Sequence, residues 1–266
     1  MRFMSRTFHL ACALLLATVA TPLHAAKADR ILIVVSGEGR DQGKTRPGYE
    51  FDELSQAWLI FQANGFAIDV ASPQGGAVEA DRYDPQQPFN AALLADTETT
   101  RMLAATRRTD QVKAEDYAAI YVVGGKGAMF DLPRDTALTT LLGDAYERGV
   151  VIGAVCHGPA ALADVRLRDG TPLVQGKALT GFTNEEEAIF GKRWAKEFPW
   201  LLEDRLRARG AGPECDTGDH RGHAQAARPD RCRDRRARTR GVRRRRARRA
   251  AGRTARLARA IRIQSA

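Results

Sequence analysis

The sequence predicts a single α/β domain on a mostly parallel sheet, and three observations carry that prediction. Ile31 to Val35 is a short continuous apolar run, as expected of a strand buried on both faces, and Phe66 to Ala71, Tyr117 to Val123 and Val150 to Val155 read as further strands. Segments with helical spacing separate them. The last run continues as Gly153-Ala154-Val155-Cys156-His157-Gly158-Pro159-Ala160-Ala161-Leu162, a strand that breaks sharply into a helix and leaves Cys156 at the corner. Pro159 suits a first helical turn, where its missing N–H would have no partner.

The elements follow in order. After the first strand and Ser36-Gly37, Leu54, Leu59, Ile60 and Phe61 mark a helix from Phe51 through Phe61 that stops at Asn64-Gly65. Phe66 to Ala71 is the second strand, so strand, helix and strand form a βαβ unit with a right-handed crossover. Val78 to Lys113 is an insertion, helical around Ala91 to Arg107, of the size that forms a lid or pocket wall. The sheet resumes at Tyr117 to Val123, followed by Gly124-Gly125-Lys126-Gly127, a helix from about Asp135 to Arg148, and the strand that ends in Cys156. Turns at Thr171-Pro172 and Gly176-Lys177 flank short strands. Asn184 with Glu187 matches a helix capping pattern, and Trp194 to Arg209 reads as one amphipathic helix. The domain spans 30–211, enough for a sizeable core.

Both ends read differently. Arg2 and Arg6, an apolar stretch from Leu10 to Ala20 and Leu23-His24-Ala25 predict a signal peptide over 1–25, too short for a membrane span, and hence a periplasmic or secreted mature protein with no membrane attachment. The net charge of +10 is confined to the tail, where 18 arginines stand against 5 acidic residues from Ala211 onward. The rest holds 24 Lys and Arg against 27 Asp and Glu, so the folded body offers no basic surface for nucleic acid. Residues 212–266 contain no Phe, Tyr, Trp or Lys and run Arg243 to Arg246 consecutively, which reads as a disordered segment translated out of frame from a GC-rich gene. A basic arm is the alternative.

The body contains one cysteine, Cys156, and one histidine, His157. That count excludes a Cys/His zinc site or an internal disulfide there, and no metal or organic cofactor is signalled. Helix N–H groups beside the corner favour a thiolate, which points to a nucleophile; a cysteine that merely packs is the alternative. Gly124 and Gly125 allow close approach of backbone to a ligand, and the N–H groups of Gly125 and His157 fit an oxyanion hole, although a tight strand-to-helix turn alone would account for both glycines.

The stretches Val122 to Pro133, Ala154 to Ala160 and Leu179 to Glu187 together resemble the ThiJ/PfpI superfamily of class I glutamine amidotransferase-like proteins, most closely its branch of glutathione-independent glyoxalases (glyoxalase III) and related chaperones. The likeness covers about Arg30 to Ala211. It implies a three-layer flavodoxin-like sandwich with a nucleophile elbow, a Cys156 nucleophile, His157, Glu187 to orient that histidine and Glu53 in contact with the cysteine. In such a site a protonated Glu53 could donate to the thiolate and shuttle a proton, provided burial raises its pKa; an exposed helix-surface glutamate is the alternative. Glu187 could equally do no more than cap its helix. The branch often has His-Pro at Gln56-Ala57 and His at Lys126, departures that touch the pocket wall and bear on substrate choice.

The resemblance implies a cofactor-free, glyoxalase III-like lyase acting on methylglyoxal or a related α-oxoaldehyde. Its partners would be the small aldehyde and, left open by the sequence, a second copy of the chain. An amidotransferase or cysteine hydrolase would require a histidine later in the body. A stress-response holdase or a redox sensor built on Cys156 stays open.

Overall fold

The computed structural model describes residues 30–190 and 193–213. The leader expected over 1–25 lies outside them, as does the Arg-rich tail except residues 212 and 213, which belong to the fold. The elements are β1 (Arg30–Val34), α1 (Phe51–Ala63), β2 (Ala67–Ser72), α2 (Pro88–Ala95), α3 (Thr97–Ala104), β3 (Arg107–Arg108), β4 (Ala119–Val122), α4 (Thr136–Glu147), β5 (Val151–Ala154), β6 (Ala178–Leu179), α5 (Asn184–Phe190), α6 (Leu202–Ala208) and β7 (Gly212–Pro213). Among the described residues no helix is long and apolar enough to cross a membrane.

The main sheet is parallel throughout, in the order β3-β2-β1-β4-β5, and β1 lies at its centre with Ile33 opposite Val70 on one side and Tyr121 on the other. Its two faces carry separate cores. Ile31, Ile33, Val35 and Tyr121 pack with Leu54, Trp58 and Phe61 of α1, Leu93 of α2 and Leu103 of α3. Leu32, Val34, Ile120 and Val122 pack with Leu138, Leu141 and Leu142 of α4 and with Leu202 and Leu206 of α6. Successive side chains of a strand point to opposite faces, so only a strand covered on both faces can be apolar at every position, as β1 is from Ile31 onward.

Four expectations are corrected. The insertion is not only helical: it adds the edge strand β3, whose two residues, Arg107 and Arg108, follow β2 in register. Exposed arginines carry no strand signal, and they suit an edge that must not attract another chain. The helix expected over Trp194 to Arg209 is a 3-10 turn, Trp194–Lys196, then α6. Pro199 lacks the N–H that a continuous helix needs. The segment after the elbow is a five-residue 3-10 turn, Gly158–Leu162, rather than an α-helix. The domain also runs two residues past 211, because β7 pairs with β6.

Leu32 and Ile33 are both fully buried although they face opposite ways. Leu32→Ala and Ile33→Ala should each cost about 2–5 kcal/mol in urea unfolding. A cost under about 1 kcal/mol for either would mean that one face of the sheet is open.

Candidate active site

At the end of β5 the Val155 N–H still donates to Val122 O at 3.2 Å, and then the chain turns with Cys156 at φ 54°. A non-glycine residue rarely adopts this left-handed conformation, and the corner is held by its neighbours: Gly158 N–H donates to Val155 O at 2.6 Å and Phe182 N–H to Cys156 O at 2.9 Å. The bend turns the sulfur toward the backbone N–H groups of Gly125 and His157, the carboxyl of Glu53 and, at 3.2 Å, His157 Nδ1.

Glu53 reaches the sulfur from the first turn of α1. Gly124 N–H donates to Glu53 Oε2 at 2.8 Å, and Glu50 N–H donates to Gly124 O at 3.3 Å, so the β4 turn and the start of α1 are locked together. A Cβ at position 124 would stand 2.6 Å from Cys156 Cβ and 2.7 Å from Glu53 Oε2, so only glycine fits. Gly125, at φ 88°, has Gly48 and Glu50 backbone equally close. The two glycines thus divide the work expected of both: the Gly124 amide orients Glu53, whereas the Gly125 amide faces the sulfur.

Burial pushes the Glu53 carboxyl up to about 7, against which its bonds from Cys156 and Gly124 act. Burial also pushes the Cys156 thiol up, and the negative charge of Glu53 adds to the effect. Both effects disfavour the thiolate that the corner position suggests, and Glu53, at about 7, is the base placed to take the proton from sulfur.

His157 is buried against Phe182, with ring centroids 4.3 Å apart, and edge-on to Phe198 at 5.7 Å. Its Nε2 lies 2.6 Å from Oε1 of the buried Glu187. A carboxylate there fixes the tautomer with hydrogen on Nε2 and leaves the Nδ1 lone pair toward the sulfur. The capping box of α5 is formed one residue earlier than the sequence suggested. Thr183 N–H donates to Glu186 Oε2 at 2.7 Å, and Glu186 N–H donates to Thr183 Oγ1 at 3.1 Å. Glu186 caps, which leaves Glu187 free to face the histidine.

Several polar groups near the site carry little signal in the sequence. Asp131, its carboxyl raised to about 7 by burial, accepts from Gly37 N–H at 2.7 Å and ties the loop after β1 to the segment after Gly125. An aspartate inside the apolar run from Ala128 to Pro133 is the one hint of it. Tyr121, on the α1 face of β4, has its phenol raised by burial and, after that, by the neighbouring Glu53 and Cys156. Glu50 and Asp81 are both raised by burial, and nothing local in the sequence marks them. Among the described residues no three His, Cys, Asp or Glu side chains are grouped to hold a metal ion.

The profile of the DJ-1/PfpI family matches residues 45–198. A probable glutathione-independent glyoxalase of Saccharomyces cerevisiae, SNO4, is 31% identical over 176 residues, covering 64% of this chain and 69% of that protein. The glutathione-independent glyoxalase HSP31 of the same yeast is 36% identical over 146 residues, 52% of this chain and 61% of its own length. The crystal structure of a rapid encystment protein of Francisella tularensis superposes with a TM-score of 0.65 at 28% identity, covering 71% of this chain and 84% of that one.

Because its folded pKa lies above the usual 4.5, Glu53 contributes stability at acid pH that is lost as pH rises through about 7. Glu53→Gln cannot ionise, so its stability relative to wild type should improve by roughly 1–3 kcal/mol between pH 5 and pH 8 in urea unfolding. An offset that is the same at both pH values would contradict the burial of this carboxyl.

Proposed function

From membership of the DJ-1/PfpI family, to which the chain belongs, and from the contact of Glu53 with Cys156, we propose a glutathione-independent, glyoxalase III-like activity: conversion of methylglyoxal or a related α-oxoaldehyde to its 2-hydroxy acid. The names of the yeast relatives support the reaction class. The observation that carries the reading is the carboxyl held against the nucleophile on an N–H-lined corner, the arrangement needed to add a thiol to a carbonyl and then relocate a proton.

In this reading Glu53 takes the Cys156 proton as sulfur bonds to the aldehyde carbon, and the oxygen that gains charge is met by the N–H groups of Gly125 and His157. Return of the proton to that oxygen gives a hemithioacetal. His157 Nδ1 then removes the proton on the former aldehyde carbon and delivers it to the adjacent carbonyl carbon, while the hemithioacetal hydroxyl gives up its proton to that carbonyl's oxygen and its own carbon becomes the thioester carbonyl. The product is a thioester of the 2-hydroxy acid. Water cleaves the thioester, releasing the acid and restoring the thiol. The sum is one aldehyde and one water to one hydroxy acid, with no net oxidation. Glu187 holds His157 in the required tautomer throughout.

Lactate formation from methylglyoxal without glutathione tests the proposal. Wild type should turn over, and Cys156→Ala should lose activity by a factor of at least about 10³. Glu187→Gln should retain more activity than Glu53→Gln, since it disturbs a tautomer rather than a bond-making group. Undiminished activity in Cys156→Ala would refute the nucleophile, and the reverse order of the two glutamates would refute their roles.

A further inference from the structure

The first turn of α1 has to bring Glu53 to Cys156, yet it carries no cap of its own: Glu50, at the N-cap position, makes no side-chain hydrogen bond to the helix. The insertion grips that turn instead. Asn90 of α2 is fully buried, and its Nδ2 donates to Asp52 Oδ1 at 2.6 Å and to the carbonyl of Asp84 at 2.8 Å. Its Oδ1 accepts from Ser55 Oγ at 2.6 Å. The partners of Nδ2 are a carboxylate and a carbonyl, and that of Oδ1 is a hydroxyl, so the amide works in one orientation only. Beside Asp84, Tyr83 stacks on Phe51, the first residue of α1, with ring centroids 3.8 Å apart.

Asp52 and Ser55, at i and i+3, share one side of the helix and flank Glu53 in the chain. Glu53 points elsewhere, to the Gly124 N–H at 2.8 Å and to the Cys156 thiol. Apolar packing is non-directional and would let α1 turn or slide slightly on the sheet, whereas hydrogen bonds weaken steeply with misalignment. The Asn90 amide therefore fixes the rotation of the turn from which Glu53 projects. A second tie between α1 and the insertion, Trp58 Nε1–H donating to Thr99 Oγ1 at 2.8 Å, is also buried but sits further along the helix.

We propose that Asn90 is a positioning residue: by holding Asp52 and Ser55 it sets the turn that carries Glu53, and so keeps that carboxyl against the Cys156 sulfur. The inference rests on the role assigned to Glu53 in the glyoxalase reading and adds the group that aims it. Asn90 touches no reacting atom. Its removal should slow the chemical step while leaving substrate capture in place, and it should have nothing to act on once Glu53 is gone.

The test compares Asn90→Leu with Thr99→Val on the full chain, since both remove buried hydrogen bonds between α1 and the insertion. Asn90→Leu should lower kcat for methylglyoxal by about 10–10²-fold with KM within about a factor of two. Thr99→Val, which leaves the first turn alone, should keep kcat near wild type. In a Glu53→Gln background Asn90→Leu should cost nothing further. An undiminished kcat in Asn90→Leu, an equal loss in Thr99→Val, or the same loss again in the Glu53→Gln background would overturn the proposal. Where Asn90→Leu does not fold, Ser55→Ala, which removes one of the three bonds, is read by the same criteria. If wild type fails to turn over methylglyoxal, the glyoxalase reading falls, and the rate of iodoacetamide alkylation at Cys156, read by mass spectrometry of its peptide, still decides the role of Asn90. Asn90→Leu should shift that rate toward the value of Glu53→Gln, and an unshifted rate would overturn the proposal.

Discussion

The sulfur of Cys156 and the carboxyl of Glu53 meet at a half-buried corner, and the structure around them is arranged to keep both polar groups there. Burial alone would protonate each of them. Two neutral acids side by side would be inert, because neither would have a place to send its proton. The hydrogen bonds from Cys156 and from the Gly124 amide act against that burial at the Glu53 carboxyl, which stands at about 7, while its charge disfavours loss of the proton from sulfur. The outcome is a thiol with a base in contact, released only when an electrophile arrives.

The fold supplies what that pair requires. A sheet buried on both faces is a rigid platform, and β4 and β5 end side by side in register, Val122 opposite Ala154. The Gly124–Gly125 turn and the Cys156 corner therefore emerge as neighbours. The unfavourable backbone angle at Cys156 is tolerated because the corner's amides and carbonyls are tied to β4 and to Phe182. From the opposite core face, the stacked ring of Phe182 and the carboxylate of Glu187 fix His157, so that its nitrogen approaches the sulfur from a set direction.

The parallel sheet, α1, α4 and the elbow are legible in the sequence, because uninterrupted apolar runs and caps are local signals. Gly65, which follows the end of α1 at φ 78°, and Asp135, whose carboxylate caps α4, stand where such signals put them. The clustering of Cys156, His157, Glu53 and Glu187 is suggested by family resemblance and does not follow from spacing. What the sequence hides is what depends on distance in space. Asp81 accepts from Gly48 N–H only after the insertion has packed against α1, where Tyr83 stacks on Phe51. The protonation state of Cys156 is hidden for a related reason: a corner position suggests a helix dipole, whereas burial and a carboxylate from 103 residues earlier in the chain decide where the proton sits. The one-residue shift of the α5 cap to Thr183 and Glu186 shows how narrowly sequence separates a capping glutamate from one that faces a histidine.

The measurement closest to the centre of this account is an infrared pH titration of wild type, with Glu53→Gln and Cys156→Ala as difference references to isolate the Glu53 carboxyl band and the Cys156 S–H stretch. The account predicts that the carboxyl band disappears with a midpoint near pH 7 while the S–H stretch persists well above it. A carboxyl already ionised at about pH 5, or an S–H stretch lost near pH 7 while the carboxyl remains protonated, would contradict it.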